Sequence, residues 1–184
     1  QLIEKWLKPD ADFQELDLIH VGEICISSPS ICSYLYSKET EKQRLELNGK
    51  SYLKTGDLGF IYNNELFYCG RIKDMINVHG ENIYPQDIEW SVEKNENVKK
   101  GSTISFEINN KIYITIELKD YNLKNLNTEL NSIKKSISLD HSVAIEKIII
   151  LKSKTTPKTT SGKVSRNKTK TLFLEKKLDL FYQF

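Results

Sequence analysis

ELFYCGRIKDMINVHGENIYPQDIEWSVEKN (65–95) runs from a β-type segment into a helix-type one, and its reading divides the chain. Phe67 and Tyr68 are residues that strands favour, and Gly70 closes that run. Pro85 stands where a helix can take a residue without an N–H, and acids follow it in the first turn. Ile88 and Val92, four residues apart, give that helix a buried stripe. The change of character near residue 72 separates a strand-rich first part, 1–72, from a mixed second part, 73–184.

Working upstream, LIHVGEICI (18–26) reads as a short strand and SPSICSYLY (28–36) as a loop with apolar anchors. SYLKTGDLGFIY (51–62) and ELFYCG (65–70) flank Asn63-Asn64, a two-residue hairpin turn because Asn tolerates positive φ. This part is too short and lopsided to close a core alone, so it is expected to complete a larger domain upstream. Working downstream, STISFEI (102–108) and KIYITIEL (111–118) alternate apolar and polar residues around Asn109-Asn110. Leu126, Leu130, Ile133 and Ile137 then mark one face of a helix, and AIEKIIIL (144–151) is a third strand. The expected fold class is α+β: the β-rich end of a larger domain, then a small α+β domain with a short sheet and two helices.

Charge is unevenly placed over the 184 residues. Residues 1–146 carry 17 basic and 23 acidic side chains, whereas 147–184 carry 10 basic and 2 acidic, a basic segment on an acidic body. Such a segment attracts phosphate in a nucleotide, a nucleic acid or a membrane surface. The 3 cysteines, Cys25, Cys32 and Cys69, form no CxxC pair, which argues against a metal site and for a reducing, cytoplasmic compartment. No apolar run reaches the length of a membrane span, and the chain starts at Gln1 in folded-looking sequence, which reads as a piece of a longer protein.

Four residues stand out as candidates for chemistry. Asp57, in KTGDLG, is expected in a tight turn between strands, where its carboxylate could accept two hydrogen bonds from a vicinal diol or be an ordinary turn aspartate. Arg71 offers a planar fork for phosphate or ribose oxygens, and Lys73 lies where the chain passes from one part to the next and could serve as a hinge, or both could be solvated bases on a surface strand. Lys163 lies in TTPKTTSGKVSRNK (155–168), which is polar, flexible and lysine-centred. It is not a phosphate loop of the Walker type, since Pro157 takes the first glycine position and Val164 follows the lysine. A nucleic-acid tail would interleave aromatics, and none occurs from Lys147 to Thr171. A solvated linker, a mobile arm carrying one charge and a purely electrostatic tail all remain open on composition.

Taken in order, VGEICISSPSICSYLY, YLKTGDLGF, GRIKDMINVHGENIYPQDIE and PKTTSGKVSR resemble the C-terminal third of the adenylate-forming enzymes: acyl-CoA synthetases, luciferases and peptide-synthetase adenylation domains. NELFYCGRIKDMINVHGENIYPQDIE is most similar to the fatty acyl-AMP ligases, and the tail TLFLEKKLDLFY resembles the extension those ligases carry. The chain departs from them at His79 and Glu81, where basic residues are usual, and in SICSYLY, which lacks a glycine before its aromatic pair.

The resemblance implies a ligase that uses ATP and a fatty acid to make acyl-adenylate and pyrophosphate. It implies transfer of the acyl group to an acyl carrier protein or a polyketide synthase module, with no nucleic-acid partner and no membrane span. Asp57 would bind the ribose hydroxyls and Arg71 ribose and phosphate. Lys73 would be the hinge between half-reactions, and Gly80 would belong to the loop lining the acceptor channel. Lys163 would deliver its ammonium to the α-phosphate and the attacking carboxylate. The ligand for Mg²⁺ would lie upstream, and the 184 residues alone would be inactive. The resemblance leaves a CoA ligase as the alternative, and composition leaves a basic nucleic-acid-binding module.

Overall fold

The computed structural model describes residues 5–7, 21–28, 44–78, 80–121 and 123–184. The expected loop over 28–36 and the residue His79 thus lie outside the described residues, apart from Ser28 itself. The chain forms two compact units, Gln1–Lys73 and Asp74–Phe184, each described here by itself.

The first unit is a five-stranded antiparallel sheet. Its strands are β1 (Lys5–Leu7), β2 (Gly22–Ile26), β3 (Arg44–Leu47), β4 (Lys50–Tyr62) and β5 (Glu65–Arg71). The 13-residue β4 organises it, pairing with β2, β3 and β5. Asn63 and Asn64 both take positive φ, 49° and 64°, as the hairpin reading requires. Asn48 and Gly49 do the same between β3 and β4. Cys25, Leu45 and Tyr52 form a small buried cluster on this sheet. Burial is the main reason that the Cys25 thiol is pushed up to about 11, helped by the nearby Glu23 carboxylate; it behaves as a small apolar residue.

The expected tight turn at Asp57 is not there. Strand β4 runs straight through it, and the glycine is used for a bulge instead. Gly56 takes φ +73°, and the β2–β4 register passes from Glu23↔Leu58 to Cys25↔Lys54, so the three residues Thr55–Asp57 of β4 stand against Ile24 alone, two more than regular pairing needs. A glycine inside a strand pattern signals either device, and long strand neighbours on both sides favour the bulge.

The second unit opens with the two-stranded hairpin β6 (Ile76–Val78) and β7 (Glu81–Ile83), then helix α1 (Pro85–Glu93). A four-stranded sheet follows: β8 (Ile104–Ile108), β9 (Lys111–Ile116), β10 (Ile145–Leu151) and β11 (Leu180–Gln183), in the order β11-β10-β9-β8. Helix α2 (Leu126–His141) connects β9 to its parallel neighbour β10, as parallel pairing demands a long crossover. Helix α3 (Arg166–Leu174) precedes the last strand. This is an α+β fold.

The expectation of two helices is corrected to three among the described residues. The reason lies in the two apolar stripes read from the sequence, which occupy opposite faces of the sheet. Ile112, Ile114 and Ile116 pack with Ile88, Val92, Leu126, Leu130 and Ile137 under α1 and α2. Ile104 and Phe106 pack on the other face with Ile149, Leu151, Phe173 and Leu180, under α3 and the tail. The run Ile148–Leu151 is wholly buried because alternate residues feed both layers. Helix α3 carries few apolar residues of its own, so periodicity alone does not reveal it. Ser165 caps it, accepting a hydrogen bond from the Lys168 N–H at 3.4 Å, and Thr169 is fully buried.

Candidate functional site

In the first unit, Asp57 and Arg71 are direct partners across the β4–β5 ladder, and the Arg71 Nε donates to Asp57 Oδ1 at 2.9 Å. Both side chains keep solvent access, with 27% and 49% of their surface exposed. The bulge that presents Asp57 is built by residues that sequence reading overlooked. Buried Glu23 accepts the Gly56 N–H at 3.0 Å and pairs with Lys54 at 3.2 Å. The Thr55 hydroxyl donates to the Ile24 carbonyl at 2.8 Å and accepts the Asp57 N–H at 3.0 Å. A carboxylate and a guanidinium side by side on a pinned bulge can share the hydroxyls and phosphate of a nucleotide.

Lys73 sits in a single 3₁₀ turn, Ile72–Asp74, at the end of the first unit. A short turn between two compact units is a place where backbone torsion can change without breaking a sheet or a helix. Gly80 takes φ +84° in the turn between β6 and β7. A Cβ added there would meet nothing within 4 Å, so the positive φ and not crowding is what favours glycine.

Composition alone describes the stretch around Lys163 as polar and solvated. The structure has it in a hairpin. The Ser165 N–H donates to the Pro157 carbonyl at 3.0 Å, Lys158 bridges Val164, and the Thr159 N–H donates to the Lys163 carbonyl at 2.8 Å. Gly162, at φ +81°, turns the tip, and its N–H donates to the Thr159 carbonyl at 3.0 Å. Lys163 is exposed at that tip, and its ammonium has no partner among the described residues.

Two buried carboxylates grip the ends of this hairpin. Downstream, the Arg166 Nη2 donates to Glu89 Oε2 at 2.6 Å and its Nε to Oε1 at 3.1 Å, while Nη1 lies 3.5 Å from Asp74 Oδ2. Burial holds the Glu89 carboxyl above its ordinary range, although Arg166 and Ser105 pull it down. Upstream, Glu117 accepts the Thr156 N–H, the Thr156 hydroxyl and the Lys154 N–H at 2.8, 2.6 and 2.9 Å, and the Lys99 ammonium at 2.7 Å. Burial would raise its carboxyl, but these four donors outweigh burial and bring it down to about 2. The signal for both was a lone Glu at a strand end or a helix face, which does not disclose a partner tens of residues away.

Other basic residues of the tail are also committed. Lys170 lies 3.8 Å from Glu107, Lys177 2.8 Å from Glu175 and Lys152 3.8 Å from Asp179. The segment is thus folded onto the unit rather than extended as a free polycation. Among the described residues no helix is long and apolar enough to cross a membrane. None of them form a group of three or more His, Cys, Asp or Glu that could hold a metal ion.

The family model for the Disco-interacting protein 2-like AMP domain matches residues 73–183. The medium-chain-fatty-acid–[acyl-carrier-protein] ligase JamA of Moorena producens is 33% identical over 172 residues, covering 86% of this chain and 29% of its own. The long-chain-fatty-acid–AMP ligase FadD26 of Mycobacterium marinum is 34% identical over 122 residues, 62% of this chain and 21% of its own. Among solved structures, one from studies of fatty acyl-adenylate ligases of E. coli and L. pneumophila matches with a TM-score of 0.79 at 28% identity, over 95% of this chain and 31% of its own. The chain thus spans under a third of these relatives. The family match, which spans more than half of the chain, places it: the chain belongs to the acyl-adenylate-forming family, with a second unit of the Disco-interacting protein 2-like AMP-domain type.

Proposed function

We propose that the chain is the C-terminal third of a ligase that activates a fatty acid with ATP. The products are acyl-adenylate and pyrophosphate, and the acyl group then passes to an acyl carrier protein or a polyketide synthase module. In this reading residues 1–72 complete a large adenylation domain, and 73–184 form the domain that moves. The observation that carries it is the Asp57–Arg71 pair, set across β4–β5 at 2.9 Å and still open to solvent. Asp57 accepts the ribose hydroxyls and Arg71 contacts ribose and phosphate, so the pair opens to admit the nucleotide. Rotation at Lys73 brings the second domain to the site, and the Gly80 turn borders the acceptor channel.

Lys163 supplies the cation for adenylation. The attacking carboxylate and the α-phosphate are both anionic, and negative charge grows on the phosphate oxygens in the transition state. An ammonium placed there stabilises that charge, and removing one such group costs about 10²–10³ in rate. The hairpin keeps this lysine exposed while its neighbours are tied down, which suits a group that must reach a second site. In this reading the ligand for Mg²⁺ lies upstream, in the large domain of the ligase. The names of the fatty-acid ligase relatives support the acyl substrate, and JamA supports a carrier protein as acceptor.

The test uses the full-length protein with ATP, Mg²⁺, a long-chain fatty acid, and CoA, with products identified by mass spectrometry. Acyl-adenylate that accumulates without acyl-CoA is the expected result, and Lys163→Ala should slow its formation by about 10²–10³. Acyl-CoA as the product would replace the carrier protein by CoA. Formation of neither, across several chain lengths, would overturn the reading.

A further inference from the structure

We propose that Glu117 is a positioning residue for Lys163, holding the root of the lysine hairpin in the orientation that adenylation needs. The inference rests on the reading of Lys163 as the adenylation cation. Glu117 follows β9 and is 1% exposed. A buried carboxylate without partners is strongly unfavourable, so such a group survives only where its oxygens are filled. Three of its four donors come from the two residues Lys154 and Thr156, directly ahead of the hairpin. The fourth, Lys99, is the one ion pair.

Holding the backbone here is not a by-product of regular structure. Lys154 takes φ +66°, a left-handed conformation that a residue with a side chain adopts at a cost of about 1–2 kcal/mol. Its N–H is aimed at Glu117 in that conformation. Glu117 is itself fixed from behind, because its N–H donates to the Ser102 hydroxyl at 3.1 Å and its carbonyl accepts the Lys99 N–H at 2.9 Å. From Thr156 the hairpin begins at once, at Pro157, and its short ladder leads to Lys163. A shift at the root is therefore carried to the tip. Misplacing a catalytic group by about 1 Å can cost 10²-fold in rate.

Glu117→Gln is the direct test, in the full-length protein. The amide keeps the size but turns an –NH₂ toward at least one N–H donor, so one side of the grip is lost. The adenylation kcat should fall about 10–100-fold, with KM for ATP and fatty acid little changed. Transfer from supplied acyl-adenylate, to whichever of carrier protein or CoA the wild type uses, should be unaffected, because that step does not use Lys163. Thr156→Val, which loses only the hydroxyl, should show the same pattern more weakly and guards against a fold defect in the first variant. In a Lys163→Ala background, Glu117→Gln should add little further loss, since it acts through the lysine. Equal losses in both half-reactions, or losses that add to Lys163→Ala, would mean a general structural role and overturn the inference. Wild-type adenylation in Glu117→Gln beside a slow Lys163→Ala would overturn the inference alone. Wild-type adenylation in Lys163→Ala would remove the reading of the lysine and this inference with it.

Discussion

Glu117 is ionised although it is buried, and this has a consequence for stability. Its carboxyl in the folded chain titrates at about 2, against an ordinary value of 4.5. Folding therefore gains stability that is fully present above about pH 4.5 and is lost as pH falls toward 2, on the order of 3 kcal/mol in all. Urea unfolding of the second unit between pH 5 and 3 should show this slope, and Glu117→Gln should flatten it. An unchanged slope in the variant would assign the acid sensitivity to other groups. Arg166 is a second point of weakness. Arg166→Ala leaves Glu89 and Asp74 without their shared cation and should cost about 3 kcal/mol, read as a drop in the urea midpoint. Arg166→Lys should recover only part, because an ammonium cannot engage both Glu89 oxygens in the planar two-bond geometry seen here.

Elements differ in how plainly the sequence announces them. The hairpin at Asn63-Asn64 and the turn at Asn109-Asn110 are legible because all four residues tolerate the positive φ that they adopt. Helix α2 is legible because Leu126, Leu130, Ile133 and Ile137 repeat at helical spacing and are all buried. Helix α3 is not, because its place is decided by the second apolar face of the sheet, which needs a cover. The lysine hairpin is hidden in the same way: Ser, Thr, Lys and Gly describe a solvated loop as well as they describe a tight turn. Its glycine can be tested. Gly162→Ala meets no neighbour, so only the backbone strain at φ +81° remains, about 1 kcal/mol. Adenylation by the full-length protein should slow while the stability of the unit changes by no more than that amount. The tail offers a second test. Ile148 and Phe184 exchange two backbone hydrogen bonds at 2.9 Å, and Leu178 and Leu180 pack under the sheet. Deleting residues 178–184 should lower the urea midpoint and make the chain associate with rising concentration, because β10 becomes an open edge.

At the scale of the whole molecule, the two layers of the second unit draw all their described residues from within Asp74–Phe184. Residues 74–184 alone should therefore fold with a cooperative transition, followed by circular dichroism in urea; a flat, non-cooperative response would contradict this. The 184 residues should make no acyl-adenylate on their own, since they span 29% of a related ligase. Pyrophosphate release from ATP by this chain would contradict the proposed division of labour.

Sequence alone determined what is settled over a few residues: the Asn turns, the Pro85 helix start, the apolar stripes and the motif order that carries the family. Those features depend on backbone preference and side-chain period, which each short segment holds by itself. Tertiary structure decided that the stripes face opposite ways, that Thr55–Asp57 is a bulge, and that Lys163 stands on a gripped hairpin. The grip on that hairpin joins residues 39 positions apart at Glu117 and Thr156, and 77 apart at Glu89 and Arg166. A buried carboxylate is tolerable only where such distant donors converge on it, and that convergence exists only once the chain has returned on itself.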